Sequence, residues 1–264
     1  MLSATPHRAR DRTAIVGELR RLLARGVAGE ARTLPFGLPA LDAHLPQGGL
    51  TCGALHEIAP EAKGDMPAAF GFVAAMLGRM PQSGPVLLVT APCGLAAHGR
   101  PHGHGLNGLG LDPSRIIMVE AADDKQAVWA MEEALRSGAP AAVAGAIGKL
   151  DFRTGQRLHR AAGESGRLLL LLRPPSVTSV AVTRWRIGAA AAAHDRFGLI
   201  ARWRWQVRLE RCRNGRPGQW IVEFDHATHR FSLAAALADP ALSRSPLPTL
   251  PGLRGREREE VRAG

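Results

Sequence analysis

The chain has 264 residues, 45% of them hydrophobic, and a formal net charge of +11. That length suits one medium domain with tails, and the apolar fraction supports a sizeable core, which excludes a disordered chain. No stretch of ~18 apolar residues occurs, so no membrane span is expected. The three cysteines, Cys52, Cys93 and Cys212, are odd in number and widely spaced. They exclude a disulfide framework or zinc site and fit a reducing, cytoplasmic location. The N-terminus shows no apolar run after its first charges, so no signal peptide is expected. The basic balance suggests an acidic partner such as nucleic acid. However, lysine occurs only at 63, 125 and 149, and 31 of the 34 basic residues are arginine. Codon composition can produce such a skew, so where the charge sits matters more than its total.

Residues 1–32 form the first segment. Its start reads as disordered, and Asp11 to Arg25 reads as a basic amphipathic helix with Ile15, Leu19, Leu22 and Leu23 on one face. Periodicity does not name the surface that this stripe meets, whether its own domain or another subunit. Residues 33–235 form the folded domain. Phe36-Gly37, Leu41-Asp42, Leu45, Gly48-Gly49-Leu50 and Gly53 lead into a short strand, Leu55–Ile58. A loop, Ala59–Met66, and an alanine-rich helix from about Pro67 follow.

Apolar strands are expected over 85–90, 115–119, 141–147 and 168–172. They alternate with helices from Asp123 or Asp124 to about Arg136 and near 155–162. Continuous apolar strands between helices imply a parallel sheet covered on both faces. After Arg173-Pro174-Pro175 the pattern changes. Trp203, Trp205, Val207 and Leu209 alternate with Arg202, Arg204, Gln206 and Arg208, which gives one apolar and one basic strand face. Asn214-Gly215 marks a turn, and Trp220, Val222 and Phe224 form the returning strand. Phe231 and Leu233 suit a third short strand. Residues 236–264 are rich in Pro, Ser and Arg and read as a disordered tail.

A strand–loop–helix of the form G-x-x-x-x-G-K-[ST] cradles phosphates on backbone N–H groups, with its lysine on the β/γ-phosphates and its hydroxyl on Mg²⁺. Here Ala59 replaces the first glycine, Gly64 keeps the second, Asp65 takes the lysine position and Met66 the hydroxyl position. Lys63 is at most a displaced cation. The strand over 86–89 runs into Thr90-Ala91-Pro92 with no catalytic acid. That over 141–147 ends without a magnesium-binding aspartate, and Asp151 lies too far along to replace it. Phosphoryl transfer depends on such positioned charges. No catalytic residue, cofactor or metal is therefore expected.

The leader through Ile58, with Arg184-Trp185-Arg186 and Asp195-Arg196-Phe197-Gly198, resembles the ImuA family of RecA-related proteins, sometimes labelled SulA-like. The resemblance covers about residues 30–235. It implies an α/β fold: a RecA-like, mostly parallel sheet flanked by helices, with an antiparallel β-hairpin extension. It further implies a non-catalytic accessory or adaptor in SOS-induced translesion DNA synthesis and damage-induced mutagenesis. The implied partners are an ImuB-like Y-family polymerase homologue and an error-prone DNA polymerase III alpha-type subunit, with RecA, DNA and self-association as further candidates. In RecA-like proteins an N-terminal helix packs on a neighbouring subunit, so the resemblance favours that role for the Leu19 stripe. The alternatives are a divergent ATP-dependent recombinase-like ATPase and a SulA-type division inhibitor.

Nine arginines between 184 and 216 face only Asp195 and Glu210, which concentrates +7 in 33 residues. Arg184, Arg186, Arg202, Arg204 and Arg208, with Trp185 to stack on an unpaired base, form the candidate nucleic-acid or partner surface. The charge alone does not separate DNA from an acidic protein. Trp203 and Trp205 are expected in the core. His98, His102 and His104, with Cys93 nearby, sit among glycines and read as a mobile loop without a complete metal-ligand set.

Overall fold

The computed structural model describes residues 32–81, 84–92, 98–175, 179–194 and 196–234. The chain divides into two units, Met1–Ala234 and Ala235–Gly264. All described residues belong to the first, and the account below concerns that unit. The Ile15, Leu19, Leu22 and Leu23 stripe and the tail after 236 lie outside the described residues.

The strands are β1 (Thr33–Leu34), β2 (Leu50–Thr51), β3 (Leu55–Pro60), β4 (Val86–Thr90), β5 (Ile116–Glu120), β6 (Ala142–Ala146), β7 (Leu168–Leu172), β8 (Thr183–His194), β9 (Ile200–Cys212), β10 (Gly218–Asp225) and β11 (Arg230–Leu233). The helices are α1 (Pro39–Asp42), α2 (Met66–Gly78), α3 (Gly103–Gly108), α4 (Asp124–Ser137) and α5 (Phe152–Ser165). Among the described residues nine strands form one sheet in the order β11-β10-β9-β8-β3-β7-β6-β4-β5, and β1 and β2 form a separate antiparallel pair. The six strands from β8 to β5 run parallel. β9, β10 and β11 extend the sheet antiparallel. This is the expected α/β, RecA-like architecture with its antiparallel extension.

Strand alternation splits the core in two. Leu168, Leu170 and Leu172 of β7 face α2, α3 and the leader, together with Trp185, Trp205, Phe224 and Phe231. Leu169 and Leu171 face α4 and α5, with Met131, Leu135 and Leu158. Helix boundaries follow their caps. Asp123 accepts from the Gln126 amide at the start of α4, and Gly138 ends it in the left-handed region at φ 63°. Asp151 accepts from the Thr154 amide and starts α5 three residues earlier than the apolar pattern implied.

The leader that carries the family resemblance has a structural role. The Asp42 carboxylate accepts the Phe36 amide at 2.8 Å and the Leu38 amide at 3.0 Å. This turn buries Phe36 against Trp185, Phe72 and Phe231, with ring centroids 5.3, 5.9 and 6.2 Å away. Gly49 is required because a Cβ there would lie 2.8 Å from the Leu34 and Pro35 backbone. His44 packs edge-on against Trp220 at 4.9 Å, and its Nδ1 lies 3.0 Å from the Pro217 carbonyl, which ties the leader to the β9–β10 turn.

Candidate functional site

β3 is buried along its whole length and delivers the degenerate phosphate loop to the start of α2. The loop turns through Lys63–Asp65 as one 3-10 turn. Asp65, at the lysine position, folds back over it. One carboxylate oxygen accepts the Ala62 amide at 3.0 Å, and the other accepts the Ala189 amide of β8 at 3.1 Å. The loop thus holds a carboxylate of its own against backbone N–H groups. Gly188 leaves room for this closure, since a Cβ there would lie 3.1 Å from Glu61 and 3.4 Å from Asp65. Lys63 and Gly64 are exposed, and Met66 is buried. Lys63 makes no ion pair among the described residues.

The arginine face is present but largely paired. It lies on β8 and β9, opposite the Trp185 and Trp205 side, and glutamates from three other places meet it. Arg204 and Arg202 both bind Glu223 of β10, at 2.5 and 3.2 Å. Burial alone would raise the Glu223 carboxyl, but hydrogen bonds and charge from Arg204 and Arg202 outweigh it and hold the group below its ordinary range. Arg208 binds Glu61 at 2.7 Å, and this hydrogen bond raises the guanidinium pKa. Arg186 binds Glu210 at 3.0 Å. Arg184 lies 3.7 Å from Glu57, which also takes a hydrogen bond from the buried Arg173 at 3.1 Å. The sequence window counted only Asp195 and Glu210 because Glu57, Glu61 and Glu223 reach this face from β3, its following loop and β10.

Trp185 corrects an expectation. It is 2% exposed, and its indole N–H donates to Thr183 Oγ1 at 2.7 Å, so it is a core residue and not a stacking platform. Trp205 is buried as expected, whereas Trp203 is only partly buried. His102 and His104 also depart from the expected loop. His102 precedes α3 and His104 lies within it, with their rings stacked at 5.4 Å. Among the described residues no group of three or more His, Cys, Asp or Glu side chains could hold a metal. Asp151 is engaged as the α5 cap, and Asp124 accepts the Gly148 and Lys149 amides at 2.9 and 2.8 Å.

One polar chain was not anticipated. His56 is fully buried in β3, with Nε2 2.9 Å from the Thr51 carbonyl and Nδ1 2.7 Å from Thr183 Oγ1. The carbonyl can only accept, so Nε2 carries the proton and Nδ1 accepts from the Thr183 hydroxyl. Burial drives the His56 pKa down to about 4. In β3 His56 stands between Leu55 and Glu57, and nothing in so short a run marks it as buried.

No family model matches the chain. It is 34% identical over 229 residues to Protein ImuA of Caulobacter vibrioides strain NA1000 / CB15N, which covers 78% of this chain and 90% of the relative. Protein ImuA of Caulobacter vibrioides strain ATCC 19089 / CIP 103742 / CB 15 matches to the same extent.

Proposed function

The chain belongs to the ImuA family, and we propose that it acts in damage-induced mutagenesis as a non-catalytic adaptor for translesion DNA synthesis. The observation that carries the non-catalytic part is the closed loop, in which Asp65 accepts the Ala62 and Ala189 amides. A lysine in this place would attract a triphosphate; a carboxylate repels it. At about 4 Å each like-charge pair costs on the order of 4 kcal/mol near a protein surface. β4 ends at Thr90 and β6 at Ala146, so neither supplies a carboxylate for Mg²⁺.

In this reading the recombinase-like sheet is a scaffold that presents surfaces to an ImuB-like polymerase homologue and an alpha-type polymerase subunit. The Arg202, Arg204 and Arg208 face is the surface offered to DNA or to an acidic protein. Equilibrium Mg-ATP binding and single-strand-stimulated turnover test the mechanism, with weak binding and no turnover expected. Magnesium-dependent hydrolysis lost on Gly64→Ala would replace the adaptor with a divergent ATPase. Pull-down against the two purified polymerase partners tests the assembly, and absence of both complexes would sink it.

A further inference from the structure

Gly37 of the leader sits at φ 72°, and a Cβ there would also lie 2.9 Å from Arg79 Nη2. The leader thus makes room for a guanidinium at the C-terminal end of α2. Arg79 is half-buried and fixed in place. Its Nε donates to the Pro35 carbonyl at 3.2 Å, and its Cζ lies 5.6 Å from the centre of the Phe231 ring. Both Nη groups are left without a hydrogen-bond partner among the described residues.

Arg79 lines a cavity of about 310 Å³ together with Thr228, His229 and Arg230 of the β10–β11 turn. The Arg230 guanidinium makes no hydrogen bond or ion pair among the described residues. His229 is held in the left-handed region at φ 52°, an uncommon place for a residue other than glycine. Its ring lies 6.4 Å from that of Phe224 and packs on Gly110, where a Cβ would come within 3.0 Å of it. The ring nitrogens also lack a partner among the described residues.

No carboxylate is bonded to this cluster. Asp42 lies within reach of the Arg79 charge, but its oxygens accept the Phe36 and Leu38 amides. Asp225, at the foot of the turn, accepts the Ala227 and Thr228 amides. Burial lowers the Arg79 guanidinium pKa, Asp42 opposes this, and the like charge of Arg230 adds to it. The fold therefore keeps two like charges in each other's field, whereas the arginines of β8 and β9 are met by glutamates. The carbonyl end of α2 accounts for one cation here. It does not account for a second arginine and an unpartnered imidazole on the same cavity.

We propose that the Arg79, His229 and Arg230 cavity binds the dianionic phosphoryl group of a phosphate monoester. Arginine forks match the paired oxygens of such a group. A monoester carries close to two negative charges at neutral pH and three acceptor oxygens, which suits two guanidiniums with Thr228 and His229 beside them. A phosphodiester carries a single charge, and among the described residues no aromatic side chain besides His229 lines the cavity to stack a base. A nucleic-acid backbone therefore fits it less well. The cavity is at the small end for ligand sites, which suits a compact ligand. The negative end of α2 keeps the affinity modest, with Kd of about 0.1–1 mM.

Backbone amide NMR on the full chain tests this, with inorganic phosphate and methyl phosphate each titrated to about 20 mM at constant ionic strength. The Gly78, Arg79 and Thr228–Arg230 amides should shift and saturate. Arg230→Gln, a change at an exposed position, should weaken both ligands by about tenfold or more. Arg79→Lys keeps the charge but loses the fork, and should weaken them as well; if it fails to fold, Arg230→Gln carries the test. Dimethyl phosphate, a diester, should bind about tenfold more weakly than methyl phosphate. Absence of saturable shifts at these amides, or shifts that survive Arg230→Gln unchanged, overturns the site. Equal affinity for dimethyl phosphate overturns the monoester assignment and makes the cavity a contact for a nucleic-acid backbone.

Discussion

The Asp65 carboxylate and the Ala189 amide meet at 3.1 Å, across the junction between the start of α2 and the outward run of β8. A residue in the phosphate-loop lysine position has become a fastener between two elements of the fold. Its other oxygen closes the loop on Ala62.

Putting the lysine back should therefore not restore the activity that the loop pattern suggests. Asp65→Lys removes both hydrogen bonds and sets an ammonium against backbone N–H groups. Bonds to a charged acceptor contribute about 1–3 kcal/mol, and partial exposure favours the lower end. Chemical denaturation should show the variant less stable by about that amount, with no Mg-ATP turnover. Turnover in Asp65→Lys would mean that the rest of a catalytic site survives.

Much of the sheet is legible from sequence because its strands are continuous apolar runs. β7, five leucines, reads directly as a buried strand, and α4 is bounded by its Asp cap and Gly138. β8 carries no such signal. Its Gly188–Ala193 run has neither strand propensity nor alternation, and only pairing with β9 makes it extended. The same cause keeps the Ala189 amide out of sight in the sequence. The arginine pattern was visible, but its neutralisation was not, because Glu57, Glu61 and Glu223 become neighbours only through the strand order.

Trp185 and Trp203 should separate clearly in stability. Trp185 is fully buried and bonded to Thr183, so Trp185→Ala should cost about 3–5 kcal/mol. Trp203 lines an open groove and is only partly buried. Trp203→Ala should cost less than half as much in the same urea titration. Equal losses would place Trp203 in the core.

His56 predicts an acid weakness. Its pKa is about 4 in the folded chain and about 6.5 unfolded, so between these values the unfolded state binds a proton that the folded state does not. The stability it contributes is present above pH ~6.5 and is lost as pH falls towards 4, by roughly 3 kcal/mol at most. His159, whose pKa is lowered by burial and by Arg213, acts in the same direction. Unfolding free energy measured from pH 7 to 4 should fall in the wild type and fall less in His56→Gln. Parallel curves would assign the loss to other groups.

The paired arginine face makes opposite predictions for its two partners. Arg204 is mostly buried beside a Glu223 carboxylate that is itself buried. Arg204→Ala leaves Glu223 with only the more exposed Arg202 and should cost about 1–3 kcal/mol, below the value for a fully buried broken pair. Glu223→Gln does the reverse and releases Arg202 and Arg204 from their shared carboxylate. If DNA binds this face, phosphate must now compete with Glu223, and Glu223→Gln should tighten binding. Each arginine newly committed to phosphate should steepen the salt dependence by about 0.7–0.9 in log–log slope. The triple change of Arg202, Arg204 and Arg208 to alanine should flatten it. Fluorescence anisotropy with a labelled single strand at several salt concentrations reads both effects. A slope unmoved by either change means that the face is an internal charge ladder, and DNA, if bound, is held elsewhere.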